Sequence, residues 1–179
     1  ENKVIFTLEP KINAYPTAEK IEVVYECNDD YITIEWVSYS TKDTFINITQ
    51  HSYFNLSGKL GLSIKDHLLY MPSHRMSLLN NQGLPISYMD TSNTSFDFSK
   101  MTPLKESIQA LLTTTQGGID HTFEFDNNVR LILKEPNTKR VLRIEATNQF
   151  LHVYTNNKPT KYLNDFGVID GLHQYICFE

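Results

Sequence analysis

Residues 46–56 read Ile46-Asn47-Ile48-Thr49-Gln50-His51-Ser52-Tyr53-Phe54-Asn55-Leu56. Taken two apart, these positions form one set that is mostly apolar and one set that is polar. The polar set consists of Asn47, Thr49, His51, Tyr53 and Asn55. This alternation predicts a β-strand over residues 46–56 that lies between the hydrophobic core and a cavity.

The polar face of this predicted strand carries no charged side chain, whereas a strand face in solvent usually carries Lys or Glu. Its amide, hydroxyl, imidazole and phenol groups donate and accept hydrogen bonds at several angles, which suits a neutral, hydroxyl-rich ligand. His51 lies at the centre of this face. Histidine is the side chain whose ordinary pKa lets it carry protons near neutral pH, so His51 is a candidate for proton transfer.

The pattern Asn47-x-Thr49-x-His51-x-Tyr53-Phe54-Asn55-Leu56-x-Gly58 resembles the central signature of the aldose 1-epimerases, or galactose mutarotases. Three further stretches follow the order of that family, and they are Tyr15-Pro16, Gly118-Ile119-Asp120-His121-x-Phe123 and Ile176-Cys177-Phe178-Glu179. The resemblance implies an all-β fold, a twisted antiparallel β-sandwich of the galactose mutarotase type. Because 179 residues can bury a substantial core and show no obvious second unit, residues 1–179 are expected to form a single domain.

The resemblance covers almost the whole chain but lacks two parts of the family pattern. One is the leading segment, with a His-Gly-Gly motif and an early arginine. The other is the set of closing strands, where a Gln follows the late Glu. We therefore expect residues 1–179 to be an internal fragment of a longer protein, with a sandwich that is incomplete at both ends.

Short alternating segments along the rest of the chain independently predict an all-β sandwich. The predicted strands are residues 4–8, 21–27, 31–40, 67–71, 123–125, 129–133, 141–146, 150–155 and 174–179. Residues 73–102 show no sustained period, and we expect short strands near 76–79 and 95–98 within them. One or two helical turns are expected at 107–113.

Composition limits the possible partners. Charged residues make up 21% and hydrophobic residues 40% of the 179 residues, which is typical of an ordinary soluble globular protein. A net charge of −5 argues against a general affinity for nucleic acid or anionic membranes, because both need a concentrated basic surface. Cys27 and Cys177 are interpreted as buried free thiols, and a cytoplasmic location is expected.

Interconversion of the two anomers of a sugar needs proton transfer at two oxygens. The ring oxygen receives a proton and the anomeric hydroxyl loses one, so that the ring opens and the C1 aldehyde can turn before closing again. A general acid and a general base on opposite sides of the sugar do both and exchange roles on closure. This reaction requires no metal, no cofactor and no covalent intermediate.

The resemblance assigns these roles to particular residues. It makes His51 the general acid and Glu179 the general base, and it makes Asp120 the residue that hydrogen-bonds sugar hydroxyls. Asn47 and Tyr53 are expected to shape the substrate pocket, and His121 is expected to line its edge. The substrate implied is an aldohexose, galactose or glucose, and the protein is expected to be a monomer or homodimer.

Other functions remain open at this point. A mutarotase-like module that binds or senses sugar without turning it over would carry the same motifs. An epimerase of hexose 6-phosphates would need clustered cations, but the arginines Arg75, Arg130, Arg140 and Arg143 are scattered and none lies beside the motifs. Glycoside hydrolysis would need two carboxylates that flank the bond, for which Asp120 and Glu179 are conceivable, but the central histidine argues against it.

Overall fold

The computed structural model describes residues 2–9, 20–159, 162, 167 and 169–179. The Tyr15-Pro16 stretch lies outside the described residues. The chain divides into two compact units, Glu1–Thr49 and Gln50–Glu179. That residues 1–179 form one domain stays a prediction.

The first unit contains a three-stranded antiparallel sheet in the order β1-β2-β3. Its strands are β1 (Lys3–Leu8), β2 (Lys20–Cys27) and β3 (Ile32–Tyr39). The polar residues between β2 and β3 form the turn, where the Asn28 N–H donates to the Tyr31 carbonyl at 2.9 Å. The strands predicted at residues 4–8, 21–27 and 31–40 are confirmed, although none of the unit's described side chains is buried.

The second unit contains a six-stranded sheet, β4-β13-β12-β9-β6-β7, and a four-stranded sheet, β11-β10-β5-β8. One helix, α1 (Leu104–Leu111), follows β8. The strand bounds are β4 (Tyr53–Phe54), β5 (Leu68–Tyr70), β6 (Arg75–Leu79), β7 (Pro85–Asp90), β8 (Thr102–Pro103), β9 (Asp120–Glu124), β10 (Val129–Lys134), β11 (Val141–Ala146), β12 (Phe150–Tyr154) and β13 (Ile176–Phe178). Each strand pair is antiparallel.

One hydrophobic core joins the two sheets of this unit. Alternate residues of β10, Leu131 and Leu133, point into it from the four-stranded sheet, and Phe123 and Val153 point into it from the six-stranded sheet. Because a strand sends successive side chains to opposite faces, each sheet packs one face into this core and directs its other face away from the core. The prediction of an all-β antiparallel sandwich is confirmed.

The helix begins earlier than its predicted position at 107–113. Pro103 precedes it with an extended backbone (φ −63°, ψ 139°) and, lacking an N–H, suits a helix start. Leu104, Ile108 and Leu111 then share one buried face at the spacing of a helical turn. In the described part of the chain, no helix is long and apolar enough to cross a membrane.

The predicted strand at residues 46–56 is wrong over most of its length, because only Tyr53–Phe54 pairs with a neighbour. The partner β13 has three residues, and only two of them pair with β4. Side chains supply other bonds in this segment. The Gln50 amide donates to the Phe178 carbonyl, and its oxygen accepts from the Ser52 N–H at 2.7 Å.

Residues 73–102 contain more structure than predicted. The short strand near 76–79 is confirmed as β6, but its hairpin partner β7 and the strand β8 were not predicted. The strand expected at 95–98 is wrong, because side chains satisfy the backbone there. Asp97 accepts from the N–H groups of Asn93 and Ser99 at 3.1 and 3.0 Å, which makes turns rather than a ladder.

Candidate active site

Four neighbouring strands of the six-stranded sheet bring polar side chains into one row. Asp120 on β9 lies opposite Tyr154 on β12, Tyr154 lies opposite Cys177 on β13, and Cys177 lies opposite Tyr53 on β4. Residues directly opposite in an antiparallel pair project to the same side of the sheet. These four side chains therefore share one face.

A second row lies two residues further along the same strands. Thr122 lies opposite His152, and His152 exchanges both backbone hydrogen bonds with Glu179, at 2.8 and 2.9 Å. The residues between the two rows, Val153 and Phe178, point into the core. We call the outward-facing set the polar face, and its members are Tyr53, Asp120, Thr122, His152, Tyr154, Cys177 and Glu179.

His51 and Glu179 meet at this polar face. The Nε2 atom of His51 lies 3.1 Å from Oε1 of Glu179, so the imidazole and the carboxylate are within ion-pair distance. The His51 side chain is 50% exposed and the Glu179 side chain 18% exposed, so solutes can reach the pair. The two groups are in direct contact, whereas they were expected on opposite sides of a sugar.

Aromatic rings surround His51. Its ring centroid lies 4.9 Å from that of Tyr53 and 6.2 Å from that of Tyr154. Tyr175 extends this group, with its ring centroid 6.1 Å from that of Tyr53. Burial raises the pKa of Tyr53, which keeps its phenol neutral. Tyr53 therefore lies on the polar face, whereas Asn47 belongs to the other unit and its role stays a prediction.

Asp120 is hydrogen-bonded to a histidine that the sequence analysis did not use. His152 Nε2 lies 3.0 Å from Asp120 Oδ1, and His152 Nδ1 lies 3.1 Å from Thr122 Oγ1. The hydrogen bond from His152 lowers the pKa of Asp120, and burial partly opposes this shift. Asp120 therefore presents an ionised carboxylate whose orientation is fixed by its neighbour.

His121 lies on the opposite side of β9 from Asp120 and points into the core, where it is 4% exposed. Its Nδ1 accepts from the Asp120 N–H at 3.0 Å, and its ring packs near Phe96. Burial lowers the pKa of His121 to about 4 and keeps the imidazole neutral. The expectation that His121 lines the pocket edge needs correction, because alternation turns it away from the polar face.

Cys177 is completely buried on the polar face and is not in a disulfide. Burial, reinforced by the Glu179 carboxylate, raises the pKa of its thiol to about 12, so the sulfur is protonated. The prediction of a buried free thiol is confirmed for Cys177. It is wrong for Cys27, which is exposed at the end of β2.

Known proteins are similar in sequence to this chain. The family model for aldose 1-epimerase matches residues 1–179. This chain belongs to the aldose 1-epimerase family. It is 29% identical to an aldose 1-epimerase of Haemophilus influenzae over 88% of this chain and 48% of the relative. It is 26% identical to a galactose mutarotase of Mus musculus over 92% of this chain and 49% of the relative.

Solved structures support the same fold. A GalM/aldose epimerase homologue from C. elegans superposes with a TM-score of 0.83 at 18% identity, over 99% of this chain and 55% of that one. A putative aldose 1-epimerase from Escherichia coli gives a TM-score of 0.63 at 11% identity, over 99% of this chain and 53% of that one. The chain spans about half the length of the relatives it matches.

Sequence reasoning named His51, Glu179 and Asp120 but not His152, and the roles assigned to those three residues stay predictions. The alternation of His152 with Tyr154 in β12 was visible, but which face they occupy depends on the pairing of β12 with β9 and β13. The amide of Asn55, another residue of the motif that contains His51, donates to the carbonyls of Leu62 and Gln174 at 2.8 and 2.7 Å.

Proposed function

We propose that the protein carrying this chain interconverts the α and β anomers of an aldohexose, galactose or glucose, by general acid-base catalysis. The observation that carries the proposal is the contact of His51 Nε2 with Glu179 Oε1 at 3.1 Å on the polar face. Membership of the aldose 1-epimerase family supports it. The cytoplasmic location and the monomeric or homodimeric state stay predictions.

In this mechanism His51 delivers a proton from Nε2 to the ring oxygen of the sugar, and Glu179 takes the proton of the anomeric hydroxyl. The bond between C1 and the ring oxygen breaks, and C1 becomes an aldehyde carbon. After rotation about the C1–C2 bond, Glu179 returns its proton to the aldehyde oxygen and His51 takes back the other, which closes the ring as the second anomer.

The direct contact of the two groups fits this chemistry. The ring oxygen and the anomeric oxygen are bonded to the same carbon, so an acid and a base that are neighbours can each reach one of them. In the protein without sugar, the imidazole nitrogen and the carboxylate oxygen lie 3.1 Å apart. A bound sugar would accept a hydrogen bond from His51 at its ring oxygen and donate one to Glu179 from its anomeric hydroxyl.

Asp120 and the tyrosines would hold the sugar in place. An ionised carboxylate accepts hydrogen bonds from two sugar hydroxyls, and Asp120 lies on the same face as the acid-base pair. Tyr53 and Tyr154 present flat apolar rings beside His51, against which the C–H face of a pyranose can pack. Correct placement matters because both proton transfers need hydrogen-bond contact.

Polarimetry with freshly dissolved α-galactose and α-glucose tests the proposal on the full-length protein. We expect equilibration faster than in buffer, and a loss of about 10²-fold or more in His51→Ala and in Glu179→Gln, as is usual for a general acid or base. His74→Ala is the control, because His74 lies against Glu124 and Asp126 beyond the end of β9.

Sugar affinity measured by calorimetry separates two explanations. If the native protein binds galactose but leaves its equilibration at the buffer rate, the protein is a sugar-binding module and the catalytic proposal is wrong. If His51→Ala and Glu179→Gln turn over as fast as the native protein, the assignment of the acid and base is wrong.

A further inference from the structure

A third donor atom lies next to the acid-base pair. The ring nitrogens of His51, the sulfur of Cys177 and the carboxylate oxygens of Glu179 provide one atom each within 4.8 Å of one another. Cys177 and Glu179 are two residues apart and so share a face, and His51 comes from the segment leading into β4, which pairs with β13. A nitrogen, a sulfur and an oxygen ligand therefore converge from two adjacent chain segments.

We propose that His51, Cys177 and Glu179 form a binding site for a thiophilic divalent cation, of which zinc(II) is the best match, and that its binding blocks proton transfer at the acid-base pair. The binding itself does not depend on the proposed function. The loss of mutarotation does rest on it, because zinc would occupy the two atoms that transfer protons.

The donor set decides which ions fit. Zinc takes cysteine sulfur at about 2.3 Å and histidine nitrogen or carboxylate oxygen at about 2.0–2.2 Å, usually in a tetrahedron. Ligand atoms in such a tetrahedron are separated by roughly 3.4–3.6 Å, so the present spread must close by about an ångström. Magnesium and calcium prefer oxygen ligands only and do not match a site with sulfur and imidazole.

The side chains allow this adjustment. His51 is half exposed and lies outside the regular strands, so its ring can move without disturbing the core. Cys177 is fixed in β13 and forms the buried end of the site, whereas Glu179 is partly open to solvent. Three protein ligands leave a fourth coordination position for a water molecule, which is also where a sugar oxygen would otherwise approach.

Binding is an exchange of a proton for a metal ion, without redox chemistry. The metal-free thiol of Cys177 holds its proton, which leaves to solvent as the zinc–sulfur bond forms. The lone pair of His51 Nε2 and one oxygen of Glu179 then bind the metal, and neither can exchange a proton with a sugar. The proposed reaction needs no metal, so the bound ion acts as an inhibitor.

Cobalt(II) is the probe for the test, because a cobalt–thiolate bond gives a charge-transfer absorption in the near ultraviolet that zinc then abolishes by displacement. We expect the full-length protein to show this band. Cys177→Ser and His51→Ala should each weaken cobalt binding at least tenfold. Cys27→Ser is the matched control and should leave binding unchanged, since Cys27 is exposed on β2 in the other unit.

A band that is absent, or that survives unchanged in Cys177→Ser and His51→Ala, would overturn the proposed site. His51→Ala keeps the test valid if Cys177→Ser unfolds, because His51 contributes nothing to the core. Polarimetry with and without zinc then tests inhibition in the native protein and in Cys177→Ser, each compared with its own metal-free rate. A band that depends on Cys177, together with a mutarotation rate that zinc does not change, would refute inhibition. A metal-free mutarotation rate equal to that of buffer would refute the proposed function and leave the binding test intact.

Discussion

The Asp120 carboxylate is held in one orientation by His152, whose ring is itself fixed by Thr122. We expect His152→Ala to raise the KM for galactose about fivefold, because a net hydrogen bond contributes about 1 kcal/mol. His152→Gln should restore much of the affinity, since its amide can donate to the same carboxylate oxygen. Steady-state polarimetry measures both variants.

The pH profile separates this positioning role from simple packing. The hydrogen bond from His152 lowers the pKa of Asp120, so its removal should raise that pKa towards its ordinary value. The acid limb of kcat/KM should then begin at a higher pH in His152→Ala than in the native protein. Identical acid limbs, together with an unchanged KM, would show that His152 does not act through Asp120.

Asn55 joins two loops near β4, and its side chain makes three hydrogen bonds. The amide nitrogen donates to the carbonyls of Leu62 and Gln174, and the oxygen accepts from the Ser57 N–H. We expect Asn55→Ala to lower the free energy of unfolding in urea by about 1–3 kcal/mol, because polar groups lose their partners. Asn55→Asp keeps the acceptor and loses the donors, so full stability in that variant would argue against the two carbonyl contacts.

At the scale of elements, the start of β9 is fixed by a cluster around Ile119. The Thr155 hydroxyl accepts from the Ile119 N–H at 3.0 Å and donates to Asn157 at 2.7 Å, and the Asn157 amide donates to the Ile119 carbonyl at 2.8 Å. This cluster sets the position of the next residue, Asp120. Thr155 and Asn157 therefore help to place a candidate substrate-binding residue.

Gly118 lies against this cluster, which leaves no space for a larger residue at position 118. A Cβ atom there would lie 2.1 Å from Asn157 Oδ1 and 2.9 Å from His173 Cε1. Asn157 cannot move aside without losing its bonds to Thr155 and Ile119. We expect Gly118→Ala to cost about 2–3 kcal/mol in urea unfolding, as overpacking does.

Gly83→Ala is the control for Gly118→Ala. Gly83 has φ +79°, and a Cβ atom added there would meet no heavy atom within 4 Å beyond its chain neighbours, so the substitution brings backbone strain without a clash. Strain of this kind costs roughly 1–2 kcal/mol. A smaller loss in Gly118→Ala than in Gly83→Ala would contradict the proposed crowding.

The elements that could be predicted well from the sequence are strands in which apolar and polar residues alternate. Residues 141–146 were placed at the observed bounds of β11, and residues 129–133 differ from β10 by one residue. The segment at 46–56 was predicted as a strand because it alternates, but side chains such as Gln50 satisfy its backbone instead. The strand at 95–98 was expected because long irregular stretches often contain short elements, and Asp97 makes turns there. Alternation alone contains no information on whether a partner strand exists.

The candidate site was predictable in part for the same reason. His51, Asp120 and Glu179 belong to motifs and could be named as candidates. The placement of His121 and His152 on opposite faces follows instead from sheet pairing between segments distant in sequence. His121, the sequence neighbour of Asp120, therefore points away from the Asp120 side chain. His152, 32 residues later, contacts that side chain at 3.0 Å.

At the scale of the molecule, three buried histidines should make stability depend on pH. Burial lowers the pKa of His67, His121 and His173 in the folded state, whereas unfolded histidine titrates near 6.5. The unfolded chain therefore binds more protons than the folded chain below that pH, and the free energy of unfolding falls as the pH falls.

The contribution of His121 can be measured by urea unfolding at pH 7 and pH 5. With a folded pKa of about 4, this group alone lowers the free energy of unfolding by about 2 kcal/mol between those two values. Asp120 raises and His152 lowers its pKa, and both effects are smaller than that of burial. His121→Gln should reduce the pH-dependent loss by that amount, and an equal loss in both proteins would show that His121 is protonated when folded.

Because Glu179 exchanges both backbone hydrogen bonds with His152, the face on which its carboxylate lies depends on whether the number of residues before it in the strand is odd or even. Inserting a single residue between Cys177 and Glu179 would turn the carboxylate towards the hydrophobic interior, whereas inserting two would return it to the outer side. Related sequences should therefore tolerate insertions or deletions of any length in their loops. Within β12 and β13 they should tolerate only insertions or deletions of an even number of residues.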